Sequence, residues 1–339
     1  MPTNRQILLD NRPVGEATAA NFKLVSNDTP ALADGQVLVR HHYLSLDPYM
    51  RGRMNDSKSY AASQPVGEVF QGGTVGEVVE SRHPKYAAGD KVAGFGGWQE
   101  YSVVDAGQPG MLKKVDTTHV PLSHYLGAVG MPGVTAWYGL VKIIAPKEGE
   151  TVVVSAAAGA VGSIVGQIAK IKGCRVVGLA GSDDKCRWVV DDLGFDACIN
   201  YRKENVLEAL RRECPKGIDV YFENVGGEIL DAVLTLINLE ARIPLCGLIS
   251  TYNADGPVPG PYMFRNVLMK RALIKGFIVI DYFPRIGEFM QDMPGWIASG
   301  KVKWRVDVEQ GLENAPTALQ KLFTGGNTGK LVVQISPEP

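Results

Sequence analysis

The 339-residue chain has no imbalance of charge, since 35 Lys and Arg residues oppose 36 Asp and Glu residues. Proteins that bind DNA or RNA usually carry a strongly basic face or tail, so the composition favours no nucleic-acid partner. Cysteine is scarce: all five cysteines lie from Cys174 onward, and none form a C-x-x-C pair. This argues against a secreted disulfide scaffold. Residues 1–21 contain no apolar core of a signal peptide, and we therefore predict a cytoplasmic protein.

The chain also lacks the ligand pattern of a zinc dehydrogenase. No cysteine occurs before residue 174, and there is no H-E-x-x-H motif. His41 and His42 are neighbours in a predicted strand, where adjacent side chains point to opposite faces and do not readily share one metal ion. The G-x-S-x-G motif of serine hydrolases is absent as well. We predict neither zinc catalysis nor serine hydrolysis, and buried packing is the default expectation for the cysteines.

Two different sequence patterns follow one another along the chain. Roughly the first 120 residues consist of strand-like runs and turn residues, whereas six strand-like runs alternate with helical stretches after Gly149. This alternation predicts a parallel sheet covered on both faces. The uncharged stretch Thr151–Ala169 contains glycines and polar residues, so it predicts a strand, a turn and a helix rather than a membrane span. A last strand, Lys330–Ile335, would make the first domain discontinuous if it returned there. The six runs are Thr151–Ser155, Arg175–Leu179, Ala197–Tyr201, Ile218–Glu223, Arg242–Ile249 and Leu273–Ile280.

Residues 155–162 carry the strongest local signal, a run of small residues between a strand and an amphipathic helix. Such a turn lets the backbone approach a pyrophosphate, which the free N–H groups at the helix N-terminus stabilise. The pattern is A-x-x-G-x-x-G, with Ala156 where the dinucleotide fingerprint has its first glycine. The alternative is a tight turn that serves only strand–helix packing. The predicted cofactor-binding residues of this turn are Gly159, Ala160, Val161 and Gly162.

The end of the second strand indicates which dinucleotide binds. An NAD enzyme usually places Asp or Glu there to hold the ribose hydroxyls, whereas this chain continues with Ser182 and Lys185. A hydroxyl and a lysine suit a 2′-phosphate, so the sequence favours NADP over NAD. The alternative is that Ser182 only caps the next helix and Lys185 is solvated. Asp183 and Asp184 also dilute the positive charge.

Two tyrosines are the candidates for the chemistry. Tyr49 lies in the turn Asp47–Arg51, and Tyr252 follows the fifth strand of the alternating region, where doubly wound sheets bind ligands. A tyrosine hydroxyl there can donate a hydrogen bond to a carbonyl oxygen or a proton to an enolate. The alternatives are a packed aromatic ring for Tyr49 and a cofactor contact without acid–base work for Tyr252.

Seven segments, which run nearly from end to end of the chain, resemble those of the zinc-independent medium-chain reductases. They are most similar to the prostaglandin and alkenal double-bond reductases, including the bacterial curcumin-reductase branch. Each segment alone is a weak motif, and their order and spacing make the resemblance specific. The segments are 44–51, 130–136, 156–162, 221–227, 246–253, 276–279 and 325–330.

The resemblance implies a GroES-like, β-rich catalytic domain of residues 1–124 and 306–339. It implies an α/β Rossmann domain of residues 125–305, with a doubly wound parallel sheet that binds NADPH, and a homodimer joined through sheet edges such as Leu273–Ile280. It implies a substrate pocket that includes Tyr49, Arg51 and Tyr262. Beyond the glycine turn, the residues expected at the cofactor are Ser182, Lys185, Tyr201, Asn224, Cys246, Ser250, Tyr252, Phe277, Ile278, Val279 and Asn327.

The implied reaction is the transfer of a hydride from NADPH to the β-carbon of an α,β-unsaturated ketone or aldehyde, followed by protonation of the enolate, without zinc. Tyr252 is the first candidate for the donor at the enolate oxygen and Tyr49 the second, and water is an alternative source of the proton. An NADPH:quinone oxidoreductase is the alternative enzyme, because the same cofactor site would serve it. An NADPH-binding redox sensor is the alternative outside enzymes.

Overall fold

The fold is given by a computed structural model that describes residues 2–108 and 110–338. The strands in this part of the chain are β1 (Thr3–Leu9), β2 (Phe22–Asp28), β3 (Gln36–Ser45), β4 (Thr74–Ser81), β5 (Lys91–Gly94), β6 (Tyr101–Asp105), β7 (Leu112–Lys114), β8 (Thr151–Val154), β9 (Arg175–Ala180), β10 (Ala197–Asn200), β11 (Ile218–Phe222), β12 (Ile237–Leu245), β13 (Leu273–Gly276), β14 (Val306–Gln310) and β15 (Lys330–Gln334). The α-helices are α1 (Tyr49–Arg53), α2 (Met131–Trp137), α3 (Gly162–Ile171), α4 (Asp183–Arg187), α5 (Val206–Glu213), α6 (Gly227–Leu236), α7 (Arg265–Met269), α8 (Ile286–Ala298) and α9 (Ala315–Thr324). Tighter or wider helical turns span Ala19–Asn21, Leu122–Leu126, Tyr138–Ile144, Trp188–Asp192, Ile249–Thr251, Tyr262–Phe264, Val279–Arg285 and Leu312–Asn314.

Six strands form a parallel sheet in the order β10-β9-β8-β11-β12-β13. Every residue of the central strand β8 is buried, because helices cover both faces. Val152 and Val154 pack with residues of α3, whereas Val153 packs with residues of α6. The predicted α/β fold with six alternating strands is confirmed. The first four strands differ from the predicted runs by one residue at their C-terminal ends. The larger differences are in β12, which spans Ile237–Leu245 instead of 242–249, and in β13, which ends at Gly276 because the chain then turns into a short helix.

A second sheet combines strands from both ends of the chain. Its seven strands have the order β14-β15-β3-β4-β5-β7, with β6 paired to β3. β15 runs antiparallel to β3, pairing Val332 with Ser45, and parallel to β14. The last strand of the chain therefore returns to the N-terminal sheet. The exact bounds of the two domains, at residues 124/125 and 305/306, stay a prediction.

The two sheets meet at the turn that follows β8. Gly159 in this turn forms a parallel bridge with Gly329, whose N–H donates to the carbonyl oxygen of Ala158 at 2.7 Å. Gly329 has a φ of 76°, and a Cβ there would lie 2.2 Å from the carbonyl oxygen of Arg305, so only glycine permits this contact. A cleft remains beside the contact, over the carboxyl ends of the parallel strands. No helix in the described residues is long and apolar enough to cross a membrane.

Candidate active site

The main cavity occupies this cleft and has a volume of about 540 Å³. Its size lies within the range of small-molecule and cofactor sites, and its place over the strand ends is the one that ligands take in doubly wound sheets. The structure brings most of the predicted site residues together there. Those that line the cavity are Tyr49, Gly159, Ala160, Val161, Gly162, Lys185, Tyr201, Asn224, Cys246, Ser250, Tyr252, Phe277, Ile278, Val279 and Asn327.

The glycine turn connects β8 to α3 with almost no room for side chains. A Cβ on Gly162 would lie 2.3 Å from the carbonyl oxygen of Ala156, and one on Gly178 of β9 would lie 2.7 Å from the Cβ of Ala157. Ala156 has a φ of 48°, in the left-handed region where glycine is usually found. The close packing exposes the N-terminus of α3 to the cavity, where its unpaired N–H groups suit a pyrophosphate. The turn thus has both the shape and the polarity that a dinucleotide needs.

Two cations lie close together at Gly325, and one of them, Lys185, lines the cavity. Lys185 donates to the carbonyl oxygen of Gly325 at 2.8 Å, and Arg202 donates to that of Thr324 at 2.6 Å. A Cβ on Gly325 would lie 3.4 Å from Arg202 and 3.9 Å from Lys185. Neither cation forms a salt bridge with a carboxylate in the described residues. Burial and, next, the charge of Arg202 lower the pKa of Lys185.

The acidic residues of this region are engaged elsewhere. Asp183 binds Asn200 at 2.6 Å and also Lys203, while Asp184 pairs with Arg187. They therefore do not neutralise the two cations, and the site fits a 2′-phosphate. Arg202 was not predicted from the sequence. Its position shortly after β10, the third strand of the parallel sheet in chain order, could have indicated it.

The carboxylate of Glu223 lies behind Asn224, which lines the cavity, and it holds the surrounding backbone in place. Its Oε1 accepts hydrogen bonds from the Tyr221 hydroxyl at 2.9 Å and from the backbone N–H groups of Val225 and Gly226 at 2.6 and 3.0 Å. It also accepts from the Ser155 hydroxyl at 3.1 Å. Burial raises the pKa of this carboxyl group. The bonds tie the ends of β8 and β11 together, directly behind Asn224.

The two candidate tyrosines, Tyr49 and Tyr252, both line the cavity. The Tyr252 hydroxyl oxygen accepts the N–H of Leu248 at 3.2 Å, which leaves its own proton free to be donated. Burial raises the pKa of Tyr252. Burial and, next, the Asp47 carboxylate raise the pKa of Tyr49. Both hydroxyls therefore stay protonated at neutral pH and act as hydrogen-bond donors.

A buried ion pair holds the turn that carries Tyr49. Lys330 of β15 donates to Asp47 Oδ1 at 2.9 Å and to the carbonyl oxygen of Leu46 at 2.6 Å, and the Ser45 hydroxyl donates to Asp47 Oδ2 at 2.5 Å. The side chains of Lys330 and Asp47 are only 4% and 7% exposed. The C-terminal strand thus positions a residue from the N-terminal part of the chain. No sequence pattern indicates this pair, because its members lie far apart along the chain.

Three predicted residues lie outside the cavity. Ser182 caps α4, and its hydroxyl accepts the N–H of Lys185 at 3.3 Å. Arg51 points away from the cavity into the protein, where its guanidinium donates to the carbonyl oxygen of Gly15 and, at 2.7 Å, to Asn55. Tyr262 is 81% exposed. Arg51 has a structural contact here instead of the predicted contact with substrate, and Tyr262 faces solvent.

The cysteines differ from one another in their surroundings. Cys174 and Cys214 are buried, as expected, whereas Cys186, Cys198 and Cys246 are partly exposed. Cys246 lines the cavity, and burial followed by the charge of Glu223 raises its pKa to about 12. No group of three or more His, Cys, Asp or Glu side chains that could hold a metal ion occurs within residues 2–108 and 110–338.

Known proteins are similar to this chain along nearly their whole length. Family models described as the N-terminal domain of oxidoreductase and as zinc-binding dehydrogenase match residues 5–112 and 160–294. NADPH-dependent curcumin reductase of Escherichia coli (strain K12) is 48% identical over 98% of this chain and 97% of its own length. The chain belongs to the medium-chain reductase family. The resemblance found in the sequence is thereby confirmed.

Two further relatives place the chain within this family. The NADP⁺-dependent 2-alkenal reductase of Nicotiana tabacum is 44% identical over 99% of this chain and 98% of its own length. The crystal structure of CurA in complex with NADPH from Vibrio vulnificus superposes with a TM-score of 0.93 at 49% identity, covering 98% of this chain and 100% of that one. Solved quinone oxidoreductases are 21% and 22% identical to the chain, and they show the shared fold alone.

Proposed function

We propose that this medium-chain reductase uses NADPH to reduce the carbon–carbon double bond of α,β-unsaturated ketones and aldehydes. One observation carries the proposal: a single cavity is lined by Lys185, by the glycine turn and by two tyrosines whose hydroxyls are protonated. The printed names of the relatives, a curcumin reductase and a 2-alkenal reductase, indicate the same substrate class. The quinone alternative has no comparable support, because its matches show only the fold.

The residues at one end of the cavity fit NADPH. Lys185 and Arg202 would hold the 2′-phosphate, and the turn of residues 159–162 would hold the pyrophosphate. Asn224, Asn327 and the segment 277–279 would line the remainder. When bound, NADPH supplies a hydride for the β-carbon of the substrate.

The tyrosines act on the substrate's oxygen. As the β-carbon gains the hydride, the electrons of the double bond move toward the carbonyl oxygen, and an enolate forms that later takes a proton at its α-carbon. The Tyr252 O–H would donate to this oxygen as its negative charge develops, and Tyr49 also lines the cavity. A donor held in place before the reaction stabilises such a charge without reorganisation, which is the largest contribution that the chain itself makes.

The test is the decay of NADPH absorbance with a panel of enones, enals and quinones, run beside NADH and with a chelator present. We expect oxidation that requires the conjugated double bond, prefers NADPH over NADH and survives chelation. Turnover of quinones without any turnover of enones would overturn the substrate class and leave the cofactor site intact. The absence of NADPH binding would overturn the proposal at its base.

We also propose that the protein forms a homodimer through the free edge of β13. This strand ends the parallel sheet, and it is exposed together with apolar side chains of α7, including Leu268 at 80% and Met269 at 54%. An unpaired strand edge beside such a patch favours pairing with a second copy. Sedimentation should give twice the monomer mass. The substitution Leu268→Asp should shift the species toward monomer, whereas Val14→Asp, at a similarly exposed position, should not.

We also propose that the protein is cytoplasmic and that its domains divide at residues 124/125 and 305/306. The five free cysteines support a reducing compartment. Limited proteolysis near residues 120–125 and 300–306, followed by mass analysis of the fragments, tests the division.

A further inference from the structure

Glu223 is a buried acidic residue that the proposed reaction does not use. Its side chain is 0% exposed, and its Oε1 accepts four hydrogen bonds, whereas Oε2 has no hydrogen-bond partner in the described residues. Two of the four donors are the backbone N–H groups of Val225 and Gly226, which can only donate. Burial raises the pKa of the carboxyl group, and these hydrogen bonds oppose that rise by stabilising the ionised form. The donors around Glu223 suit a carboxylate rather than a protonated acid.

No cation neutralises this carboxylate within residues 2–108 and 110–338. Its hydrogen-bond partners there are hydroxyl groups and backbone N–H groups. A charge that is buried without a counter-ion lowers stability, so folding alone does not favour it. The carboxylate can stabilise a positive charge that forms nearby during a reaction, because buried charges are screened much less than exposed ones.

The carboxylate lies directly behind the wall of the main cavity. Its Oε1 accepts the N–H of Val225, and the backbone carbonyl oxygen of the same residue accepts those of Cys246 and Gly247 at 2.9 and 3.1 Å. Val225, Cys246 and Gly247 all line the cavity. A Cβ on Gly247 would lie 3.1 Å from the Tyr252 hydroxyl oxygen. The buried charge is therefore next to the part of the cavity that contains the proposed donor to the substrate.

We infer that the Glu223 carboxylate stabilises the positive charge that the nicotinamide ring gains when it gives up its hydride. The inference rests on the proposed function, which requires the nicotinamide to lie where Tyr252 meets the substrate. The hydride leaves with both electrons of its C–H bond and forms the new C–H bond at the β-carbon, so the ring that remains is a cation. Glu223 does not line the cavity, and it acts through its charge. A nearby anion favours NADP⁺ over NADPH, whose ring is neutral.

The test measures the dissociation constants of NADPH and NADP⁺ by calorimetry, with no substrate present. In Glu223→Gln, whose amide oxygen can accept the same hydrogen bonds, Kd for NADP⁺ should rise about tenfold, which is about 1.4 kcal/mol. Kd for NADPH should stay within about twofold, because its ring has no charge to stabilise. In a single turnover with one enone, the rate of hydride transfer should fall by up to about tenfold, since the transition state carries part of the charge.

Asp219→Asn is the matched control, because Asp219 is a carboxylate at the other end of the same strand, β11, roughly 13 Å from Glu223. It should leave the ratio of the two Kd values within about twofold of that of the wild-type protein. Tyr221→Phe removes one hydrogen bond from Glu223 and keeps the charge, so it should leave the ratio unchanged as well.

Equal weakening of both cofactors in Glu223→Gln would overturn the inference, because it would show that Glu223 only holds the backbone. A change of the ratio in Tyr221→Phe as large as that in Glu223→Gln would overturn it too. Should Glu223→Gln fail to fold, Glu223→Asp takes its place: the charge remains while the hydrogen bonds move, so a tenfold change of the ratio would contradict the inference and a constant ratio would support it. If the wild-type protein binds no NADPH or reduces no enone, the proposed function fails instead, and the two failures are told apart.

Discussion

The hydroxyl of Tyr252 is the group that we expect to donate to the enolate oxygen. Its oxygen already accepts the Leu248 N–H, so its proton points elsewhere, and its raised pKa keeps that proton in place. In Tyr252→Phe, kcat should fall about 100-fold, as when one oxyanion donor is lost, while KM for NADPH stays unchanged. Steady-state kinetics on one enone measures both constants.

Tyr262→Phe is the control for this substitution, since Tyr262 lies outside the cavity. It should have wild-type kinetics. Should Tyr252→Phe keep its kcat while Tyr49→Phe loses it, the role of donor passes to Tyr49, the second candidate.

We expect Lys185 and Arg202 to determine the preference for NADPH. Because neither cation has an anionic partner in the described protein, both are free to hold the 2′-phosphate. Arg202→Met should raise KM for NADPH by about tenfold or more and leave KM for NADH unchanged, since NADH has no 2′-phosphate. The neighbouring Lys203, which pairs with Asp183, supplies the control Lys203→Met. Equal losses with both cofactors would mean that Arg202 only supports the fold.

Cys246 faces a substrate class that alkylates thiols, and its environment protects it. Its pKa is raised to about 12 by burial and by Glu223. Only the thiolate adds to an enone, and the raised pKa keeps Cys246 in its thiol form at pH 8. After incubation with excess enone at pH 8, peptide mass spectrometry should find Cys246 unmodified while free glutathione has reacted completely. An adduct at Cys246 on the same timescale would contradict this.

At the scale of residues, the sequence predicts which side chains line the cavity where their position decides it. Lys185 and Tyr252 follow strand ends, and both line the cavity. Arg51 does not line it, because its guanidinium donates to the carbonyl oxygen of Gly15, a contact that depends on the fold. Arg202 was not predicted because basic residues are common after strands. Only the fold shows that this one lies near Lys185.

Among the elements, the junction of β8 and α3 depends on its glycines. A Cβ on Gly162 would meet a backbone oxygen that cannot move aside without unravelling the turn. Gly162→Ala should therefore weaken NADPH binding at least tenfold and lower the free energy of unfolding by about 1–3 kcal/mol. Fluorescence titration and urea unfolding measure the two effects.

Gly295 in α8 offers the matched control, because a Cβ there would meet nothing within 4 Å. Gly295→Ala should leave binding unchanged and raise the free energy of unfolding by up to about 1 kcal/mol, the gain in helix propensity. Wild-type binding by Gly162→Ala would show that the close approach of backbone to ligand is not needed.

The elements themselves were largely predictable. The strands β8, β9 and β11 are short runs of mostly apolar residues that are buried, and burial on both faces of the sheet produces this pattern. Strand ends were less certain: Leu273–Ile280 is apolar apart from Lys275 and Gly276, yet β13 stops at Gly276 and the chain enters a short helix. The pairing of β15 with β3 could be suspected from its distance to the other strands, but its register depends on partners far away in sequence.

For the whole molecule, the pair of Lys330 and Asp47 joins the end of the chain to its beginning. Both side chains are almost fully buried, so removing one partner leaves the other charge without compensation. Lys330→Met should lower the free energy of unfolding by about 3–5 kcal/mol, measured by urea unfolding. It should also lower kcat, because the turn with Tyr49 loses its anchor.

Lys321→Met is the comparison, since Lys321 forms a partly exposed pair with Glu309 on the same part of the chain and should cost at most about 1 kcal/mol. The double variant Asp47→Leu/Lys330→Met decides the cause. If the loss comes from an unpaired buried charge, removing both charges restores much of the stability while kcat stays low. If the double variant is as unstable as Lys330→Met alone, the loss comes from packing, and the ion pair does not hold the two ends of the chain together.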